Sequence, residues 1–190
     1  KTLLTLTLAA TTLAAPTLWA DLSLDNDASR LSFVTTKADN VAEVHYFERL
    51  RGSLEDNGQV RIGFGLASVN TGIPIRNERM QEMLFETNLF PRATVSATVD
   101  MNVINGLSVG DETIINQEMT LNLHGETAAV TATLVVTKTK FGLRVSTQAP
   151  VIIMADTFAL AAGVEKLREV AGLTRISNAV PVSFSIAFND

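Results

Sequence analysis

Apolar and polar residues alternate along most of the chain beyond residue 20, and a period of two is typical of β-strands with one buried face. The pattern is most regular near the end of the chain, where Val182, Phe184, Ile186 and Phe188 alternate with serine and alanine. About seven to nine such runs, joined by short turns, predict an all-β domain, either a β-sandwich or an up-and-down barrel.

The same alternation indicates which residues face the interior. The sequence EDNG at 55–58 predicts a hairpin turn, and Pro150 predicts a break between two strands or a bend within one. The residues expected on the inward face are Val44, Tyr46, Leu50 and Leu54 before the turn, and Val60, Ile62, Phe64, Leu66, Ala93, Val95, Ala97, Val99, Met101, Met119, Leu121, Leu123, Val130, Ala132, Leu134 and Val136 after it.

Two stretches break the alternation and predict short helices. The first lies within SVNTGIPIRNERMQEMLFETNLFP (68–91), where a charged, methionine-rich run predicts a helix over about 77–85. The second is GVEKLREVAG (163–172), whose apolar residues recur at helical spacing. Gly172 stands where the C-cap of that helix is expected.

The first twenty residues, KTLLTLTLAATTLAAPTLWA, have the features of a secretory signal sequence. Lys1 supplies a positive charge, an uncharged stretch follows, and Ala20 is a small residue at a suitable cleavage point. The threonines and the proline make this stretch too polar for a transmembrane helix, which needs about twenty strongly apolar residues. We therefore expect residues 1–20 to be removed and residues 21–190 to form a single domain.

Composition and charge exclude several classes of protein. The net charge of −5 becomes −6 without the signal sequence, because Lys1 is its only charged residue, and there is no basic cluster to bind nucleic acid. The chain has no cysteine for a disulfide or a lipid anchor, so we predict a protein free in the periplasm. Without Trp19, no tryptophan and one tyrosine remain, too few for the aromatic girdles of an outer-membrane barrel.

Candidate catalytic and metal-binding residues are sparse. His45 and His124 lie far apart in sequence and lack the clustered spacing of metal ligands, so we interpret them as solvent-facing or hydrogen-bonded strand residues. Paired carboxylates fall in turn-like segments, where they commonly bind nearby backbone. The sequence contains no nucleophile motif and no phosphate loop. It therefore predicts no enzyme, no metal and no required cofactor.

The inward faces leave open whether the barrel is filled or hollow. They are rich in alanine and valine, which favours some free space. An eight-stranded barrel is just wide enough to be filled by its own side chains or to hold one small ligand. Periodicity alone does not distinguish these two cases, since the same residues also make an ordinary packed core.

Residues 65–100, GLASVNTGIPIRNERMQEMLFETNLFPRATVSATVD, resemble the central signature of the YceI-like family of exported polyisoprenoid-binding proteins. The shared features are Ser-x-x-Thr-Gly at a strand end, an Arg/Asn-rich helix start, a Met/Leu-x-x-Phe segment and Phe-Pro before the next strand. LNLHGETAAVTATLVV (121–136) resembles a hairpin of the family, and AGLTRISNAVPVSFSIAF (171–188) resembles its closing helix and strand. VVTKTKFGLRVS lacks the acid of the family's Arg-x-Asp-Phe-Gly segment, which indicates a divergent branch.

The resemblance implies an antiparallel, eight-stranded, lipocalin-like barrel with two short helices and an elongated apolar pore. The stretch 68–91 would then supply a helical cover over one end of the barrel. The residues expected to bind ligand are Tyr46, Phe64, Leu66, Met80, Met83, Leu84, Phe85, Val95, Ala97, Leu121, Leu123, Val130, Ala132, Leu134, Phe184 and Ile186. Arg76, Asn77 and Arg79 are expected to meet a polar head group.

We therefore expect a periplasmic carrier that holds a long apolar isoprenoid-type lipid, a polyprenol or a quinone, without catalysis. The alternative is a non-catalytic structural or interaction protein, a filled barrel that binds another envelope protein. A transient contact with the membrane or with an envelope protein, and a homodimer, stay open as further partners.

Overall fold

A computed structural model of the protein describes residues 21–190, and the predicted signal sequence lies outside this range. Most of the described chain is β-structure. Its strands are β1 (Leu22–Lys37), β2 (Val41–Phe47), β3 (Leu50–Leu54), β4 (Gln59–Gly65), β5 (Val69–Asn70), β6 (Arg92–Thr98), β7 (Glu112–Leu123), β8 (Glu126–Lys138), β9 (Gly142–Thr147), β10 (Val151–Met154) and β11 (Ala179–Asn189).

These strands form one antiparallel sheet that closes on itself. Its order is β10-β11-β9-β8-β7-β6-β4-β3-β1-β2-β5, and β11 also pairs with β1. The ring of strands β1-β3-β4-β6-β7-β8-β9-β11 therefore has eight members, while β2, β5 and β10 extend β3, β4 and β9 beyond short breaks. The antiparallel eight-stranded barrel implied by the resemblance is confirmed. Closure leaves the ring without a free edge for pairing with other chains.

Two predictions about strand ends are confirmed. β3 and β4 form a hairpin through residues 55–58, where the N–H of Gly58 donates to the carbonyl of Glu55 (2.9 Å). Pro150 lies in the break between β9 and β10, where its missing N–H removes no ladder hydrogen bond.

Both predicted helices are present. Helix α1 (Pro74–Arg79) continues into a π-helical turn, Met80–Leu84, so the helix expected over 77–85 begins three residues earlier. Pro74 suits that start, because the first turn of a helix has no intrahelical partner for its N–H groups. The second predicted helix is observed as Ala161–Val170. Within residues 21–190, no helix combines the length and the apolar character needed to cross a membrane.

A further helix, α2 (Met101–Asn105), differs from the sequence prediction, which continues the preceding strand through Met101. β6 ends at Thr98, and Asp100 caps α2 by accepting a hydrogen bond from the N–H of Asn102 (2.9 Å). The longer helix Ala161–Val170 is therefore α3. Short 3₁₀ turns lie at Leu66–Ser68 and Ala155–Phe158.

Helix α2 fills one end of the barrel. Its apolar side chains pack with those of β1, β3 and β9 around a residual void of about 10 Å³. We call this the closed end, defined by Leu22, Leu54, Met101, Ile104 and Leu143. Three of these residues are leucines with at most a few per cent of their surface exposed, so the packing there is that of an ordinary core.

Candidate ligand-binding site

The barrel is hollow beyond the closed end, where it encloses a cavity of about 400 Å³. Most of the wall is apolar, and no closed-end residue belongs to it. Along β1 the wall includes Leu31, Phe33, Thr35 and Lys37, and the strand rises about 20 Å from the first to the last. The cavity is therefore elongated, and its volume lies in the range of about 300–1,000 Å³ that is typical of ligand pockets.

Aromatic rings make a continuous part of this wall. Phe47 contacts Phe33 and Phe64, with ring centroids 5.4 and 5.0 Å apart, and it contacts Phe85 at 5.8 Å. These rings come from β1, β2, β4 and the segment that follows α1. Their contacts fix the positions of the rings, and they present an apolar surface without hydrogen-bond donors or acceptors.

Residues 74–85, which we call the cover segment, lie over the barrel together with α3. Met80, Leu84 and Phe85 of the cover segment belong to the cavity wall. So do Val164 and Leu167 of α3, which stand three residues apart and therefore share one face of that helix. The cavity is thus enclosed by two helical elements as well as by the strands.

The chain that follows the cover segment is attached to the turn between β7 and β8. The Nε2 atom of His124 lies 3.0 Å from a carboxylate oxygen of Glu86, and its ring contacts that of Phe90, with centroids 4.4 Å apart. His124 therefore joins two elements of the fold and lies off the cavity wall. Among residues 21–190, no group of three His, Asp or Glu side chains is placed to hold a metal ion.

The cavity opens to solvent between α1, the end of α3 and the β1–β2 turn. Ile73, Ile75 and Val170 belong to the wall and yet are 44%, 53% and 45% exposed. We call this opening the mouth and define it by these three residues together with Lys37 and Glu43. Since apolar side chains continue from the wall to the outer surface, an apolar chain could enter here while staying in contact with them.

Charged groups on the wall are concentrated at the mouth. Glu43 accepts hydrogen bonds from Lys37 (2.6 Å) and Arg76 (2.8 Å), and these two cations hold the pKa of its carboxyl below the ordinary value. Arg76 also donates to the carbonyl of Thr71 (2.7 Å). Arg79 is half-buried on the same wall and has no hydrogen-bond or ion-pair partner within the described chain.

His45 is a polar residue deeper on the wall. It is only 2% exposed, and its Nε2 atom is hydrogen-bonded to the hydroxyl of Thr35 (2.9 Å). Its ring packs edge-on against that of Phe33, with centroids 5.4 Å apart. Burial lowers the pKa of His45, and the nearby charge of Arg76 lowers it further, so the ring is neutral at pH 7.

The structure brings together most of the residues that the sequence proposes as a site. Those on the cavity wall are Phe64, Met80, Leu84, Phe85, Val95, Leu121, Leu123, Val130, Phe184 and Ile186, with Arg76 and Arg79 among the head-group candidates. They come from β4, β6, β7, β8, β11 and the cover segment. Their direct role in binding ligand stays a prediction.

Tyr46 lies off the wall, and the expected inward face of β2 is wrong. Val44 is 69% exposed, whereas His45 and Phe47 are buried and face the cavity. The ring of Tyr46 instead lies under the guanidinium of Arg30, which is 3.5 Å from the ring centroid. This outward pair is a cation–π contact rather than a ligand contact.

The cause is a break between β2 and β3. Glu48 and Arg49 are both exposed, so two consecutive residues point outward and the alternation shifts by one position. Leu50 and Leu54 beyond the break are buried as predicted. If the alternation is counted back from Leu50 without this shift, Val44 and Tyr46 are assigned to the interior in place of His45 and Phe47.

The remaining predicted residues also lie off the wall. Met83 is half-buried, and Asn77 uses its side-chain oxygen to accept hydrogen bonds from the N–H (2.8 Å) and the hydroxyl (2.6 Å) of Thr71. Asn77 therefore stabilises the start of α1 and lies off the cavity wall. Four others face the interior but pack against neighbouring side chains instead of the void: Leu66, Ala97, Ala132 and Leu134.

Several wall residues were not proposed from the sequence. Leu31 and Phe33 alternate within RLSFVTTKA, and this signal was available. The helical spacing of Val164 and Leu167 was also visible, but it did not show which surface the helix covers. His45 gave no signal of its own, because its burial depends on the break between β2 and β3.

The comparison with known families agrees with this architecture. The family model of the YceI-like domain matches residues 22–188. Among solved structures, a polyisoprenoid binding domain from Saccharophagus degradans, implicated in plant cell wall breakdown, is 39% identical and superimposes with a TM-score of 0.86. That match covers 88% of this chain and 97% of the other. No curated protein is similar enough to this chain to count as a relative.

More distant structures share the fold. BcnA from Burkholderia cenocepacia is 18% identical, with a TM-score of 0.65 over 86% of this chain and 98% of its own. The YCEI protein of Campylobacter jejuni is 16% identical, with a TM-score of 0.54 over 77% of this chain and 84% of its own.

Proposed function

The chain belongs to the YceI-like family, and from this premise we propose that it binds a long isoprenoid-type lipid, a polyprenol or a quinone, and carries it through the periplasm. The observation that supports this proposal most directly is the elongated apolar cavity with its exposed mouth. A polyisoprenoid is also the ligand named for the Saccharophagus degradans domain.

The physical basis of binding is burial of hydrocarbon. Each CH₂ group removed from water contributes about 0.8 kcal/mol. A chain of several isoprene units therefore gains enough to offset the entropy lost on binding, even with few polar contacts. Shape and apolar area suffice for such a ligand, which explains why its site carries no catalytic or metal-binding motif.

We propose binding without catalysis. The charged wall residues at the mouth are mostly engaged with one another: Lys37 and Arg76 both bind Glu43. Arg79 is the available cation on this wall within the described chain, and we propose that it contacts a polar head group near the mouth. The cavity weighs against the alternative of a filled barrel that serves only as an interaction protein.

A carrier must also exchange its ligand with a membrane. Ile73, Ile75 and Val170 are the exposed apolar residues that continue the wall outward. We propose that they contact the bilayer surface transiently, because an apolar chain then passes into the cavity without crossing water. Export to the periplasm rests on the signal sequence predicted over residues 1–20.

Lipid extraction tests this proposal. The protein purified from its exported fraction is extracted with organic solvent, and the extract is analysed by mass spectrometry. The delipidated protein is then titrated with hexaprenol, and binding is followed by quenching of a fluorescent lipid probe. We expect an isoprenoid in the extract and saturable binding of about one molecule per chain. An extract without isoprenoid, together with no binding of hexaprenol, would contradict the proposal.

A further inference from the structure

The polar atoms of the cavity wall are not all satisfied by the protein. Among residues 21–190, only three side-chain nitrogen atoms are buried without a hydrogen-bond partner. Two of them, Nδ1 of His45 and Nε of Arg76, belong to residues on the wall of this cavity. Because burying a polar group without a partner costs free energy, such atoms are uncommon and indicate a place where a ligand group can bind.

His45 is the deeper of the two residues. Its register partner on β1 is Phe33, whereas Glu43, two residues nearer the mouth, is opposite Thr35. Two strand residues correspond to about 7 Å. The backbone of His45 therefore lies about 7 Å farther from the mouth along the strand than that of Glu43, level with Phe33.

The neighbours of His45 do not supply a hydrogen-bond partner for its buried Nδ1 atom. Thr35 engages Nε2, and Phe33 packs against the ring. The charged groups nearest to it, Glu43, Lys37 and Arg76, are bound to one another. In a neutral imidazole one nitrogen is a donor and the other an acceptor, so the bond to Thr35 decides which role Nδ1 has. A hydroxyl group can satisfy either role, and a carbonyl oxygen satisfies the N–H tautomer.

We propose that His45 Nδ1 is the hydrogen-bonding site for the head-group oxygen of the lipid, so that a hydroxyl or carbonyl head is held just inside the mouth. This inference rests on the proposed function and specifies its ligand class. The tail then lies against Phe33, Leu31 and the rest of the apolar wall. The site prefers an isoprenoid with an uncharged oxygen-bearing head over a hydrocarbon of equal size.

The test compares two ligands that differ by one oxygen atom. Hexaprenol and squalene are isoprenoids with the same number of carbons, but squalene has no hydroxyl group. Dissociation constants of both are measured on the wild-type protein and on His45→Phe, His45→Asn and His45→Gln variants. The asparagine amide reaches the position of Nδ1, whereas the glutamine amide reaches that of Nε2. Phe47→Leu, on the same strand and wall, is the matched control.

We expect His45→Phe to weaken hexaprenol binding about fivefold to tenfold, the effect of one hydrogen bond, and to leave squalene binding within about twofold. His45→Asn should keep most of the preference for hexaprenol, and His45→Gln should lose it. Phe47→Leu should weaken both ligands equally, since it removes only apolar contact.

An unchanged ratio of the two dissociation constants in His45→Phe would overturn the assignment of His45 while leaving the lipid-binding function intact. If His45→Phe does not fold, equal ratios in the Asn and Gln variants have the same meaning. Failure of the wild-type protein to bind either isoprenoid would instead overturn the proposed function, and with it this inference.

Discussion

Gly163 of α3 lies directly against the main chain of Met83 in the cover segment. A β-carbon at Gly163 would be 2.7 Å from the carbonyl oxygen of Met83 and 2.8 Å from the α-carbon of Leu84. Only glycine allows this approach, because both atoms belong to backbone that cannot rotate away. The two helical elements over the cavity are therefore held together by a contact that any side chain at residue 163 would separate.

Replacing this glycine should destabilise the protein. Alanine favours a helix by about 1 kcal/mol over glycine, but the steric overlap should outweigh this gain. We expect Gly163→Ala to lower the free energy of unfolding by about 1–3 kcal/mol, measured by urea denaturation. Gly106→Ala is the matched control, because a β-carbon there meets its nearest atom at 3.4 Å. A Gly163→Ala variant as stable as the control would contradict the close contact.

Filling the cavity should block lipid binding without unfolding the barrel. Val130 belongs to the wall, and its neighbour Thr131 points to solvent. We expect Val130→Phe to reduce hexaprenol affinity at least about tenfold, because the added ring takes up volume that the lipid needs. A tenfold loss of affinity corresponds to about 1.4 kcal/mol of binding free energy. Thr131→Phe should leave affinity unchanged. Equal affinities of the two variants would show that the lipid binds elsewhere.

The two wall arginines should respond differently to removal. Arg76 binds Glu43 and the Thr71 carbonyl, so Arg76→Ala should lower the free energy of unfolding by about 1–3 kcal/mol. Arg79 makes no such bonds within residues 21–190, so Arg79→Ala should change the free energy of unfolding by less than about 0.5 kcal/mol. Denaturation curves check both values. Arg79→Ala should also weaken hexaprenol binding a few-fold; unaltered binding would remove Arg79 from the head-group site.

Stability should fall in mild acid because of His45. Burial, with Arg76 and Lys37 nearby, lowers the pKa of His45 in the folded protein. In the unfolded chain His45 takes up a proton near the ordinary histidine pKa of 6.5, whereas in the folded protein it does so only at lower pH. The free energy of unfolding must then decrease as the pH falls through that value, and the contribution is fully present only above it.

Asparagine at residue 45 cannot titrate. The free energy of unfolding should therefore fall less between about pH 7.5 and pH 5.5 in His45→Asn than in the wild-type protein. Urea denaturation of both proteins at the two pH values gives the difference, and other titrating groups cancel in it. Parallel losses in the two proteins would show that His45 does not contribute.

Regular alternation predicted an all-β domain, and the resemblance of residues 65–100 to the YceI-like signature implied the closed barrel and its cover segment. The inward face of β2 was not predictable. Two consecutive outward residues, Glu48 and Arg49, shift its parity, and nothing in their identity distinguishes them from ordinary exposed strand residues. The error placed Tyr46 on the predicted inward face and left His45, which lies on the cavity wall, off it.

The sequence contains features that could have predicted helix α2. Asp100 is a preferred N-cap residue and Gly106 follows the last turn, but the alternation through Val99 and Met101 favoured a longer strand. Whether the interior was filled or hollow could not be derived at all. Ala132 and Leu134 face inward like Val130, yet they pack among their neighbours while Val130 lines the void. That distinction depends on the curvature of the barrel, which residue identity does not specify.

Helix α2 and its leucine neighbours obstruct the far end of the barrel, so the cavity is closed at that end and the mouth lies at the other. A lipid that enters tail first must leave head first through the same opening, so loading and unloading are one path travelled in opposite directions. For the proposed carrier, the protein by itself then imposes no direction on the movement of lipid. Net movement between two membranes would follow the difference in the lipid's chemical potential, and any vectorial delivery would have to come from the membranes or proteins that the mouth meets.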